Sequence, residues 1–245
     1  MRVAVLSDIH ANLRALDAIL GRVGEVDGIW QLGDVVGYGP EPDEVVDRLR
    51  ERGALGVCGN HDLAAIGGDL IRDFNVDARA AMEWTRRTIS PATRDWLAAL
   101  PARLTVDGSS LVHGSPRDPT WEYILTEAAA RTNLALLSTP LGLFGHTHLP
   151  MAYASAPDST AAGELETLTP QPGSILALAG RRAMVNPGSV GQPRDGDPRA
   201  SALVLDLAAG SITWIRAEYD IEATQRAMRR AKLPARGISR LSVGI

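Results

Sequence analysis

The stretch 1-MRVAVLSDIHANLRALDAILGRVGEVDGIWQLGDVV-36 decides the fold. Val3 to Leu6 is a short continuous apolar run, the pattern of a strand covered on both faces. Leu13, Leu16, Ile19 and Leu20 then recur at helical spacing, with Asn12 placed to cap that helix and Gly21 to stop it. Residues 28–36 supply a second strand. The alternation continues: Glu41-Pro42-Asp43-Glu44 opens a helix with proline and acids in its first turn, Gly53 ends it, and 54-ALGVC-58 is a third strand. A β–α–β–α–β run of this kind predicts parallel strands with helices packed on them.

Downstream the pattern changes. Asn75 to Leu100 is helical, broken at Ser90-Pro91, where serine can cap and proline can open the next helix. Asp107-Gly108, flanked by apolar residues within 105–112, signals a hairpin. Strand-like runs follow at 141–144, 175–179, 183–185, 202–207 and 211–215. Gly180 and Gly210 sit between two pairs of them, as hairpin loops would. Residues 155–173, rich in Ser, Thr, Pro and Gly, read as an exposed loop, and Ile221 to Lys232 as a last helix. Parallel units first and hairpins later predict one α/β domain over residues 1–245, with a mixed sheet or two packed sheets.

The chain of 245 residues is 45% hydrophobic, enough for one sizeable core. It has no apolar run near the ~18–20 residues that span a bilayer, and its first residues are too short an apolar run for a secretory signal. The expectation is a cytoplasmic protein. Cys58 is the single cysteine, so no internal disulfide forms. The net charge of −4 gives no general attraction to nucleic acid or anionic lipid. Arg226, Arg229, Arg230, Lys232, Arg236 and Arg240 form a local basic run that could hold a polyanion but is read as a solvated helix face.

The chain has five histidines, His10, His61, His113, His146 and His148, and each lies just after an expected strand. Ligands bind at the carboxyl ends of strands in open α/β sheets. Asp8 stands two residues before His10, and His146 two before His148, a spacing that aims both side chains of a pair one way if the backbone is extended. Asp34 and Asn60 join them at the ends of the second and third strands. Imidazole, carboxylate and amide donors without thiolate suit Mn, Fe, Zn, Co or Ni. They are too many for one tetrahedral ion, which points to two.

The blocks Asp8-Ile9-His10, Gly33-Asp34, Gly59-Asn60-His61-Asp62, His113 and Gly145-His146-Thr147-His148 resemble, in order, those of the calcineurin-like metallophosphoesterase superfamily. VVGYGPEP at 35–42, HGSPRDPTWEY at 113–123 and NPGSVGQPRDGDPRAS at 186–201 extend the resemblance to its bacterial YfcE-like phosphoesterases. That resemblance implies a four-layer α/β/β/α sandwich with mixed sheets. It implies two divalent transition-metal ions, manganese foremost, one held by Asp8, His10, Asp34 and His148 and the other by Asp34, Asn60, His113 and His146. Asp34 would span both through its two oxygens. The implied activity is hydrolysis of small phosphomonoesters or phosphodiesters by a hydroxide bridging the ions. Cleavage of a phosphoanhydride, as in dinucleoside polyphosphates, and a slow metal-bound scaffold are the alternatives. His61 is left over as a catalytic non-ligand, with Asp62 either orienting it or forming an exposed salt bridge. Gly37 departs from the pattern, standing where many members carry a second aspartate, a change expected to bear on subfamily more than on catalysis.

The remaining candidates are less specific. Trp121 and Tyr123 could wall the site, but packing onto the core is the expectation. Tyr38 is expected to line the site. Arg194 and Arg199 could steer phosphate, but surface pairing with Asp195 and Asp197 is the expectation. Cys58 is read as a small buried apolar residue, and Asn186-Pro187-Gly188 as a turn supporting the site from behind. The partner is a small phosphorylated molecule; neither oligomeric state nor substrate follows from the sequence.

Overall fold

In the computed structural model, which describes residues 1–157 and 165–245, two six-stranded sheets lie face to face. The first contains β1 (Arg2–Leu6), β2 (Gly28–Gln31), β3 (Leu55–Gly56), β9 (Ile175–Ala177), β11 (Ala200–Asp206) and β12 (Ser211–Ala217), in the order β3-β2-β1-β11-β12-β9. Its first three strands are parallel and the others antiparallel. The second contains β4 (Arg103–Val106), β5 (Ser109–Val112), β6 (Leu141–Leu143), β7 (Pro150–Ser155), β8 (Leu165–Leu168) and β10 (Ala183–Pro187), in the order β4-β5-β6-β10-β7-β8. There β5, β6 and β10 run parallel.

The period-two pleat of each strand divides its side chains between layers. Val3 and Val5 of β1 join Leu203, Leu205, Leu143 and Val185 in the core between the sheets. Ala4 and Leu6 point the other way, against Leu16 and Ile19 of α1 (Leu13–Val23) and Val46 of α2 (Pro42–Glu51). Helices α3 (Asn60–Ile66), α4 (Val76–Thr88) and α5 (Pro91–Ala98) complete that outer layer. On the far side, Phe144, Tyr153 and Met184 pack under Ala130 and Leu134 of α6 (Glu127–Leu134). The result is the expected α/β/β/α sandwich. A last pair, α7 (Ile221–Arg230) and α8 (Ala235–Arg240), packs Met228 and Ile238 against Ala81 of α4. No helix among the described residues is long and apolar enough to cross a membrane.

Several boundaries differ from the sequence reading. Helix α1 runs through Gly21 to Val23 and ends at Gly24, whose φ of 70° suits a stop. Strand β2 leaves its ladder at Gln31, and residues 32–36 form the loop that carries Asp34. The hairpin at Asp107-Gly108 is present, with both residues left-handed (φ 44° and 74°) as a type I′ turn requires. The hairpin expected around Gly180 is not: β9 pairs with β12 in one sheet while β10 enters the middle of the other. The expected loop over 155–173 contains β8, and its residues 158–164 lie outside the described ones.

Candidate metal centre

Five loops, after β1, β2, β3, β5 and β6, meet at the carboxyl ends of the parallel strands. They bring seven buried donors together: Asp8, His10, Asp34, Asn60, His113, His146 and His148. Asp8, His10, Asp34 and His148 can present one atom each within 4.8 Å of one another, and so can Asp34, His113 and His146. Asn60 joins the second group, its Oδ1 3.0 Å from His113 Nε2. Both sequence-derived ligand sets are therefore brought together.

The backbone reaches this arrangement differently from the extended geometry expected. Asp8, His10, Asp34, His146 and His148 all have left-handed φ, between 49° and 65°. That conformation costs roughly 1–2 kcal/mol per non-glycine residue and persists where surrounding structure over-determines it. The anchors are specific. Asp8 N–H donates to Gly33 O at 3.1 Å and His10 N–H to Asp34 O at 2.9 Å. Asn186, in β10, donates its amide to Gly145 O at 2.8 Å, so the Asn186-Pro187-Gly188 segment does brace the site from behind.

The donor set fits cations. His10, His113 and His148 turn Nδ1 to the backbone oxygens of Val36 (3.2 Å), Leu32 (2.8 Å) and Gln192 (2.6 Å). With the proton on Nδ1, each Nε2 carries a bare lone pair aimed inward, the arrangement that orients metal-binding imidazoles. His10 Nε2 and His148 Nε2 stand 3.1 Å apart with no hydrogen to share. Asp8 Oδ1 is buried without a donor, 3.3 Å from His148 Nε2. A cation among them would satisfy all of these atoms at once. In the second group His113 Nε2 lies 3.1 Å from His146 Nδ1.

Each carboxylate divides its oxygens. Asp8 Oδ2 accepts from Ser7 Oγ (2.6 Å) and His146 N–H (3.1 Å), leaving Oδ1 to the site. Asp34 Oδ1 accepts His61 N–H at 2.8 Å, while Oδ2 lies 3.7 Å from His10 Nε2 and 3.4 Å from His113 Nε2. A bridge between two ions would thus run through one oxygen of Asp34, where two were expected. Burial raises Asp8 to about 7, whereas His113 and His61 hold Asp34 well below the carboxylate range although burial opposes them. Burial keeps His10, His146 and His148 low, the neutral state a ligand needs, whereas Asp34 overrides burial and raises His113 to about 9, so a cation there would have to displace its proton.

His61 belongs to neither donor group. Its Nδ1 faces Met82 Sδ at 3.1 Å, and its ring packs against Tyr38 and Phe74. Asp62 does not orient it, nor is it exposed. Its two oxygens accept the backbone N–H groups of Val36 (3.1 Å) and Gly59 (2.9 Å), tying the Asp34 loop to the start of α3. Adjacent residues on a helix point about 100° apart, so Asp62 faces away from its neighbour. Gly37 also has a local reason: its φ is 90°, and a Cβ there would meet His61 Nδ1 at 2.5 Å. The departure at position 37 therefore falls on His61 itself.

The centre opens into a cavity of about 510 Å³. Tyr38 lines it as expected, its ring 4.8 Å from that of His10. Trp121 lines it while packing against the core beside Phe74, as expected; Tyr123 departs from the expected packing role, being 47% exposed and stacked on His146 at 4.0 Å. Arg194 is a second correction. Asp195 pairs with Arg216, and Asp197 with Arg199 as expected, while Arg194 turns into the cavity and donates to Gln192 Oε1 at 3.0 Å. Arg236 and Arg240 of the basic run also reach the cavity, so that run is not merely a solvated face. The basic run marked Arg236 and Arg240 in the sequence, but their place at the site depends on the tertiary packing that carries the C-terminal helices there.

Seven imidazole, carboxylate and amide donors gathered at the strand ends of an α/β/β/α sandwich define a phosphoesterase-type fold with a cluster that could hold metal ions. The chain belongs to the calcineurin-like phosphoesterase superfamily, whose domain model matches residues 1–210. A metallophosphoesterase from Sphaerobacter thermophilus is 42% identical, with a TM-score of 0.89 over 100% of this chain and 99% of that one. An uncharacterized protein of Methanocaldococcus jannaschii is 33% identical over 95% of this chain and 93% of its own length. A symmetrical bis(5′-nucleosyl)-tetraphosphatase of Nitrosococcus oceani is 33% identical over 154 residues, 57% of this chain and 52% of that one.

Proposed function

We propose that the chain hydrolyses small phosphomonoesters or phosphodiesters in a metal-dependent reaction. The observation that carries this reading is the buried set of donors whose lone pairs face one another. Asp8, His10, Asp34 and His148 would hold one divalent cation, and Asp34, Asn60, His113 and His146 a second, with manganese well matched to mixed imidazole and carboxylate donors. Bound there, the cations lower the pKa of water and offset charge on a phosphoryl group.

The remaining work falls to side chains. Asn60 contributes an amide oxygen without negative charge, which keeps the centre attractive to phosphate. His61 lines the cavity with Nδ1 turned to Met82; burial lowers it to about 4, and we assign it to donate from Nε2 to the leaving oxygen as the imidazolium that a bound phosphoryl anion would favour. Arg194 offers donors for a phosphate oxygen, and Tyr123 and Trp121 form an aromatic wall for the leaving group. Kinship with a bis(5′-nucleosyl)-tetraphosphatase favours a second reading, cleavage of a phosphoanhydride by the same groups.

The test is turnover of p-nitrophenyl phosphate and bis(p-nitrophenyl) phosphate by the manganese-loaded protein and by Asp34→Asn. Loss of the shared ligand should lower kcat/KM at least about a hundredfold. Equal turnover by the two proteins would overturn the hydrolase and favour a scaffold that binds metal without chemistry.

A further inference from the structure

The C-terminal helices lie beyond residue 210, where the family's domain model ends, yet they supply one wall of the cavity. They are held there firmly: Met228, Leu233, Ile238 and Leu241 are buried against Ala81 of α4. From this wall Arg236 and Arg240 face the space that also reaches Asp34, His148 and Arg194. One side chain gathers two of these cations. Gln192 Oε1 accepts from Arg194 Nη2 at 3.0 Å and from Arg240 Nη1 at 3.1 Å. The backbone oxygen of the same residue accepts from His148 Nδ1 at 2.6 Å. Gln192, 2% exposed, therefore fixes the arginines relative to the metal centre.

Arg240 Nε also donates to Ile245 O and Arg194 also bonds the Tyr123 side chain, but these guanidinium groups lack carboxylate side-chain partners. Among the described residues none of the three forms an ion pair with an aspartate or glutamate, although Asp73 and Asp77 also line the cavity. Arg194 Nε is buried with no acceptor, and Arg236 is exposed. Three like charges around one space repel one another, and burial together with Arg194 lowers Arg240 from its ordinary value. An anion filling the space relieves that repulsion and meets planar donors suited to phosphate oxygens. A single phosphoryl group on the metal side would leave most of about 510 Å³ unfilled, a volume in the range of whole small-ligand pockets, about 300–1,000 Å³.

We infer that Arg236 and Arg240, with Arg194, form a subsite for a second phosphoryl group, so that the substrate carries a diphosphate or longer phosphate chain. This rests on the hydrolase reading for the fate of the first phosphoryl group, but binding of the second needs only the arginines. Arg236 is the residue to change, because it is exposed and makes no hydrogen bond that folding requires.

The experiment is calorimetric titration of the metal-stripped protein with pyrophosphate and with orthophosphate, for wild type, Arg236→Glu and Arg236→Lys. Wild type should bind pyrophosphate more tightly than orthophosphate. Arg236→Glu should weaken pyrophosphate binding by about tenfold, and Arg236→Lys by no more than about threefold. In the manganese form, the ratio of kcat/KM for a nucleoside diphosphate to that for p-nitrophenyl phosphate should fall in Arg236→Glu, through KM. Equal binding of the two anions by wild type, a loss under about threefold in Arg236→Glu, or equal losses in the two variants would overturn the subsite. A protein that passes the binding test yet hydrolyses no ester keeps the subsite and loses the hydrolase.

Discussion

At Asp34 the two oxygens of one carboxylate have separate duties, one fixing the backbone of His61 and the other facing both groups of imidazoles. Asp62 shows the opposite use of the same chemistry, with both oxygens spent on backbone N–H groups and none left for a ligand. The contrast separates two variants. Asp62→Ala leaves two buried donors without acceptors, so it should cost about 2–5 kcal/mol of stability by urea denaturation. His61→Ala should retain full metal content by elemental analysis while kcat drops about 10²–10⁴-fold. If the His61 variant loses metal, or Asp62→Ala unfolds at the wild-type midpoint, these assignments are reversed. The candidate ligands were legible in sequence because histidine and aspartate recur at successive strand ends. Asp62 was misread because adjacency in the chain was taken for adjacency in space, and on a helix those differ.

Among the elements, short apolar runs and turn residues located β1, α1, α2 and the two hairpins around residues 107–108 and 210. What they could not reveal was which sheet a strand joins. Gly180 looks like a hairpin loop, but the chain crosses there from one sheet to the other, a choice made by long-range pairing. Helix α3 was hidden because its first turn is the ligand segment Asn60-His61-Asp62, too polar to show an apolar stripe. Helix α8 was hidden because it is six residues long. The C-terminal pair depends on Met228, which is 1% exposed and packs with Ala81, Leu233 and Ile238. Met228→Ala should cost about 2–5 kcal/mol, read as a lower unfolding midpoint. An unchanged midpoint would mean that these helices are not bound to the sandwich as described.

Across the whole molecule, two sheets that share no strand pairing among the described residues meet at the centre. Asp8, His10, Asp34 and Asn60 come from the first sheet, and His113, His146 and His148 from the second. Backbone bonds such as Val190 N–H to Ser7 O at 3.0 Å stitch the same seam. The four-layer architecture followed from the family resemblance; the change of parallel units to hairpins left one mixed sheet and two packed sheets equally open. The arginine wall was not foreseeable, since its basic run has the composition of an ordinary solvated helix. The most direct test of the central claim is anomalous diffraction from crystals grown with manganese. Two peaks should appear, one within about 2.0–2.3 Å of the His10 and His148 Nε2 atoms and one equally close to His113 Nε2, both touching Asp34. A single peak, or density away from these side chains, would contradict a two-ion centre.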